Sequence, residues 1–178
     1  MRPTDPRTCR PFRRDPSCFF GGEARLHLRD VFNGMSSQCD TGLSNIPIDE
    51  DLISAADLSA LTELLVDATC VNGVQAVVAT KVLHRKRPHL IPVLDSVMVG
   101  HYGSERDVGI LAGGTNDKKA KLQSLTSVLQ SIQDDVSKTD AELQKLGDGL
   151  TEAGWPVSTL RIHDILVWTE KEPHGYYR

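Results

Sequence analysis

Residues 73–103 read GVQAVVATKVLHRKRPHLIPVLDSVMVGHYG, and they divide into a helical stretch, a basic cluster and an extended approach to an aspartate. Within the first part, Val74, Ala76, Val78, Thr80 and Val82 alternate as a strand would, and valine favours strands. Helix is still the expectation. The segment runs on through Lys81, Leu83 and Arg85 to Pro88, and only one other stretch, around His27, offers a partner strand. Asn72-Gly73 supplies a turn ahead of this helix, and the backbone around Gly73 then places N–H groups at a helix N-terminus. Such a terminus reads first as an ordinary interhelical turn, although a phosphate could bind there.

The basic cluster is Lys81, Arg85, Lys86 and Arg87, closed at once by Pro88, so its charges fall at the C-terminal end of the helix. Cations there complement the helix dipole by about 0.3–1 kcal/mol each. They can equally grip phosphates and release counterions, and Lys81 and Arg85, four apart, share a face for that purpose. Further on, Pro92 enforces an extended path through Val93 and Leu94, which sets Asp95 where a new helix begins. Aspartate is a favoured N-cap because its carboxylate accepts the orphan N–H groups of the first turn. The same carboxylate could face a developing cation on a nucleoside sugar. Neighbouring features carry less. Ser96 has no evident partner base, Gly109–Gly114 (GILAGG) lacks the Lys-Ser/Thr ending of a phosphate loop and reads as a turn, and His84 and His89, five apart, do not share a face.

Outside this stretch the periodicity is helical. Ser54 and Asp57 resemble a capping box ahead of Leu58, Leu61, Leu64 and Leu65. Asn116 is the expected N-cap of a stripe through Leu122, Leu125, Val128, Leu129, Ile132 and Val136. After a short break, Thr139 and Glu142 form a T-x-x-E box opening a further helix through Leu143, Leu146 and Leu150, weakened by Gly147 and Gly149 and closed near Gly154. Ser158 caps a last helix whose expected buried side is Ile162, Ile165, Leu166 and Trp168, with Trp155 also in a core or an interface.

Charge is distributed in blocks. Residues 1–30 carry seven arginines against four acids and four prolines by position 16, which predicts an unfolded start. Residues 40–67 hold seven acids and no lysine or arginine, and residues 107–153 are acidic by eight to five, so the basic segment 81–106 stands between two acidic ones. The total of 178 residues suits one domain, and a net charge of −4 excludes a uniformly basic nucleic-acid coat. No apolar run approaches the roughly 20 residues of a membrane span, so a soluble, cytoplasmic protein is expected. The four cysteines, Cys9, Cys18, Cys39 and Cys70, have no C-x-x-C spacing and read as free thiols. No metal and no cofactor is expected.

The string Ala79-Thr80-Lys81-Val82-Leu83-His84-Arg85-Lys86-Arg87-Pro88-His89-Leu90-Ile91-Pro92-Val93-Leu94-Asp95-Ser96-Val97 resembles the signature of a largely actinobacterial family known only as a domain of unknown function. Ile46-Pro47 with Asp51-Leu52, and the segment Val157–Trp168, are similar to its flanking pieces, so the resemblance covers roughly residues 45–170. That family is distantly similar to helix-hairpin-helix DNA glycosylases, in which a Gly-Val-Gly hairpin precedes one helix and a catalytic aspartate opens a later one. The resemblance places Gly73-Val74-Gln75 at the hairpin and Asp95 at the aspartate. Gln75 departs from the second glycine, and Val77 stands where bifunctional members carry a lysine, so Schiff-base chemistry is not implied.

The expectation is therefore an all-α protein of five or six helices with a helix-hairpin-helix-like unit. Residues 1–40 form an Arg/Pro-rich, mobile or divergent tail, 41–172 a single helical domain, and 173–178 a C-terminal tail. Its expected function is nucleic-acid binding, with DNA contacted by Gly73, Lys81, Arg85, Lys86 and Arg87, and Asp95 as the catalytic carboxylate if monofunctional, glycosylase-like N-glycosidic hydrolysis survives. The alternative is a non-catalytic helical interaction domain whose basic segment docks on an acidic protein partner, or a decayed family member.

Overall fold

In the computed structural model, residues 43, 44, 46, 51–55, 57–70 and 74–171 are described. Among them the secondary structure is helical, in the order α1 (Ser59–Thr69), α2 (Ala76–His84), α3 (Ser96–Tyr102), α4 (Glu105–Gly109), α5 (Lys118–Glu152) and α6 (Thr159–Lys171), with a π-helical turn, Ile110–Gly114, between α4 and α5. The protein is all-α, as expected, with no strand among the described residues. The expected tail over 1–40, the hairpin residue Gly73 and the tail over 173–178 lie outside the described residues.

The alternating stretch before Arg85 is helical because its smallest residues recur at helical spacing. Ala76, Ala79, Thr80 and Leu83 form the buried face of α2, and the Thr80 hydroxyl donates to Ala76 O at 2.8 Å while accepting from Leu94 N at 3.0 Å. That second bond ties the extended segment 91–94 onto α2. All four of its residues are buried.

Helix α5 forms the axis of the fold. Leu125, Val128, Leu129, Ile132 and Val136 are fully buried along one face, against which α1, α3, the π turn and α6 pack. Two expectations fail here. Asp117, not Asn116, is the N-cap, its carboxylate accepting from Lys119 N and Ala120 N. The expected break before Thr139 is also absent: Thr139 sits inside one 35-residue helix, where its hydroxyl donates back to Asp135 O at 3.0 Å. A threonine three residues before a glutamate caps a helix only if the chain has already left helical dihedrals, and no proline between 118 and 152 forces it to.

Two glycines have specific roles. A Cβ on Gly103 would lie 2.8 Å from Val99 O and 3.1 Å from Val128 Cγ2, so only glycine lets the α3–α4 junction sit on α5. Gly113 closes the π turn at φ +95°, a conformation that side chains rarely adopt. Among the described residues no helix is long and apolar enough to cross a membrane.

Candidate functional site

The basic end of α2 divides into two populations. Lys81 and Arg85 are exposed, and neither forms an ion pair with a carboxylate among the described residues. Arg87 turns inward instead, its Nη2 donating to Ile46 O at 3.1 Å and Leu43 O at 3.3 Å. It thereby clamps the chain before Asp51 to the end of α2, a structural role that its membership of a basic run conceals. Lys86 is exposed. His84 Nδ1 lies 2.6 Å from Ile91 O, and Ser158 Oγ donates to Pro88 O at 3.0 Å. The turn that follows the cations is thus fastened on both sides. The structure gathers Lys81, Arg85 and Lys86 at one helix end, and it sets Asp95 at the far end of the buried run 90–94.

Asp95 caps α3. Its Oδ1 accepts from Val97 N and Met98 N, each at 3.0 Å, and Oδ2 accepts from the indole Nε1–H of Trp168 at 2.8 Å. Both carboxylate oxygens are therefore engaged, one by its own helix and one by α6. An Asp95→Ala variant is expected to lose about 2–4 kcal/mol, combining roughly 1 kcal/mol for the cap with 1–3 kcal/mol for an orphaned indole N–H. Asp95→Asn keeps one acceptor and should lose about half as much, measured by urea unfolding.

Around His163, on the same helix as Trp168, lies a polar cluster that the hydrophobic periodicity does not reveal. The expected buried side of the last helix holds only in part: Ile162 is buried, but Ile165 and Leu166 are 44% and 46% exposed. The buried face instead runs through Leu160, His163, Asp164 and Val167. Hydrophobic spacing could not reveal it, because two of its four members are polar and are stabilised by partners distant in sequence. The Tyr102 hydroxyl donates to Asp135 Oδ2 at 2.5 Å and lies 2.7 Å from His163 Nε2, which is also 3.3 Å from Asp135 Oδ2. With its single proton given to Asp135, Tyr102 can only accept from His163. The Nε2 of His163 therefore carries the ring proton, and Nδ1 is left as a buried acceptor with no partner.

Electrostatics follow from burial. Burial pulls His163 below the usual histidine range against the opposing pull of Asp135, so the ring is neutral. Burial, followed by the Asp135 bond, pushes the Tyr102 phenol upward and rules it out as a phenolate nucleophile. The Tyr102 hydroxyl in turn holds Asp135 below the carboxylate range. Asp164 is 1% exposed, and burial pushes its carboxyl up to about 7, against the partial relief of the Val93 N–H and Arg161. Its Oδ2 accepts from Val93 N at 3.4 Å, and its Oδ1 has no partner.

A groove of about 320 Å³ lies between α1 and α5, lined by groups that include Asp57, Glu63, Leu122 and Gln133. It contains none of the expected site residues. Among the described residues no group of three or more His, Cys, Asp or Glu side chains is placed to hold a metal ion.

Residues 26–171 match the model of a protein family described as "Family of unknown function (DUF6308)". The chain belongs to this family. The DUF6308 match takes in all six helices and ends on the last residue of α6, so the basic end of α2, the Asp95 cap and the α6 cluster all lie inside the family's domain. No curated protein and no solved structure matches the chain.

Proposed function

We propose that this DUF6308 chain is a cytoplasmic nucleic-acid-binding helical domain. In this reading α1 and α2 form a helix-hairpin-helix-like unit, Lys81, Arg85 and Lys86 meet phosphates, and the backbone around Gly73 assists. Kinship of a largely actinobacterial family with helix-hairpin-helix DNA glycosylases belongs to the same reading. The observation that carries it is the outward display of Lys81 and Arg85 on one helix end while the adjacent Arg87 is used internally. If base excision survives, Asp95 is its carboxylate, and Trp168 must release Oδ2 before that oxygen can face a sugar.

The test is titration of labelled single-stranded, duplex and abasic-site DNA at about 50 and 200 mM salt, comparing the wild type with Lys81→Ala/Arg85→Ala. Binding should weaken steeply with salt, and loss of two phosphate contacts should reduce the log–log slope by about 2. Equal binding by the variant, or no binding at low salt, would sink this reading.

A second reading is a protein-interaction domain. It is favoured by the apolar residues left at the surface, Trp155 at 71% exposed together with Leu146, Ile165 and Leu166. An acidic protein partner would meet the cationic end of α2, whereas association through the apolar residues would be nearly insensitive to salt.

A further inference from the structure

We propose that Asp164 and Asp95 form a proton-controlled latch on α6: while Asp164 is protonated, Trp168 holds Asp95 and α6 stays closed on the 91–95 segment, and when Asp164 ionises the indole lets go. The inference goes beyond nucleic-acid binding and stands without it.

Its geometric basis is that α6 approaches the 91–95 segment through two side chains on one face, Asp164 and, four residues on, Trp168. Asp164 reaches the backbone N–H of Val93, and Trp168 reaches the carboxylate of Asp95, two residues later. Both contacts close the same seam. The Trp168 contact uses the Asp95 side chain as an acceptor, and three N–H donors point at that carboxylate. The Asp164 contact is different. One N–H at 3.4 Å and the half-exposed Arg161 guanidinium at 3.7 Å both face Oδ2, and Oδ1 is buried with no partner among the described residues.

The charges facing Asp164 do not compensate for its ionisation. From its own helix comes Arg161, whose Nη1 is 3.7 Å away but whose side chain is 46% exposed, so solvent screens it. From the segment before α3 comes the anion Asp95, and from α3 the neutral Tyr102. Tyr102 is itself bonded to the anion Asp135 of α5 and to His163. Glu170 of α6 and His101 of α3 lie further out, acting on Tyr102 and on Asp135 and His163 respectively. A proton lost from Asp164 therefore leaves a dry negative charge beside Asp95, and opening the seam is the direct route by which water can reach it.

Trp168 reports the latch. The chain has two tryptophans, and Trp155→Phe removes the exposed one, leaving the indole bonded to Asp95 as the sole tryptophan, excited selectively at the red edge of the absorption band. In that background we expect one step in Trp168 emission and near-UV circular dichroism as pH rises from 5.5 to 8.5, centred near 7. Adding Asp164→Asn, which keeps an oxygen for Val93 N–H, should abolish the step and hold the acid-side signal throughout. Adding Asp95→Asn instead should move the midpoint to lower pH, because the repelling charge is gone. Titration of His163 or His101 would survive Asp164→Asn, so a step that persists there overturns the proposal. A flat profile in the Trp155→Phe protein, or an unmoved midpoint with Asp95→Asn, does the same. If far-UV circular dichroism shows that the Asp164→Asn protein fails to fold, the Asp95→Asn midpoint decides alone.

Discussion

Truncating Leu129 to alanine is expected to destabilise the protein by about 2–5 kcal/mol, the range for removing a large aliphatic side chain from a packed interior. Leu129 is fully buried on α5, in a row with Leu125, Val128, Ile132 and Val136. Four elements, α1, α3, the π turn and α6, pack against that helix. Relaxation into the cavity would have to move several of them at once, which places the expected loss in the upper half of the range. Urea unfolding should show a lower midpoint with an unchanged m-value, because the native surface is almost the same. Leu122→Ala, on the same helix but 37% exposed, should cost less than about 1 kcal/mol. Equal losses at the two positions would mean that α5 is not the axis of the fold.

The stripe that supports this prediction is legible in the sequence because apolar side chains at spacings of three and four have one explanation in a long helix. The face of α2 is legible for the same reason once alanine and threonine are counted as core residues, and Asp95 as an N-cap follows from the preceding proline and the helix pattern after it. What is not legible depends on distant partners. Asp164 and His163 look like surface residues of an amphipathic helix until Val93, Tyr102 and Asp135 are placed around them. In Arg87 the charge hides the role, since a guanidinium donating to Leu43 and Ile46 carbonyls has the same local sequence as one facing a phosphate. Thr139-x-x-Glu142 errs in the opposite direction, a local signal that the continuous packing of α5 through Leu143 overrides.

Asp164→Asn is expected to make the protein more stable at pH 8 and to leave it nearly unchanged at pH 4. The sign follows from linkage. An aspartate whose folded pKa is about 7, against an ordinary value of 3.8, holds its proton in the folded state while the unfolded chain has lost it, over the window between those values. Stability therefore falls as pH rises through that window and levels off above about 7. A rise from 3.8 to about 7 corresponds to at most about 4 kcal/mol, lost by the wild type between pH 4 and pH 8 and retained by the variant. His163 and Asp135 act oppositely, since both are lowered in the folded state and each adds stability as pH rises towards its unfolded value. They are common to both proteins, so the difference between wild type and variant isolates Asp164. Unfolding midpoints in urea at pH 4, 6 and 8 supply that difference. A gap that widens with pH puts the unpaired proton on Asp164, whereas a constant gap would mean that the carboxyl is already ionised at pH 4 and that the α6 seam is wet.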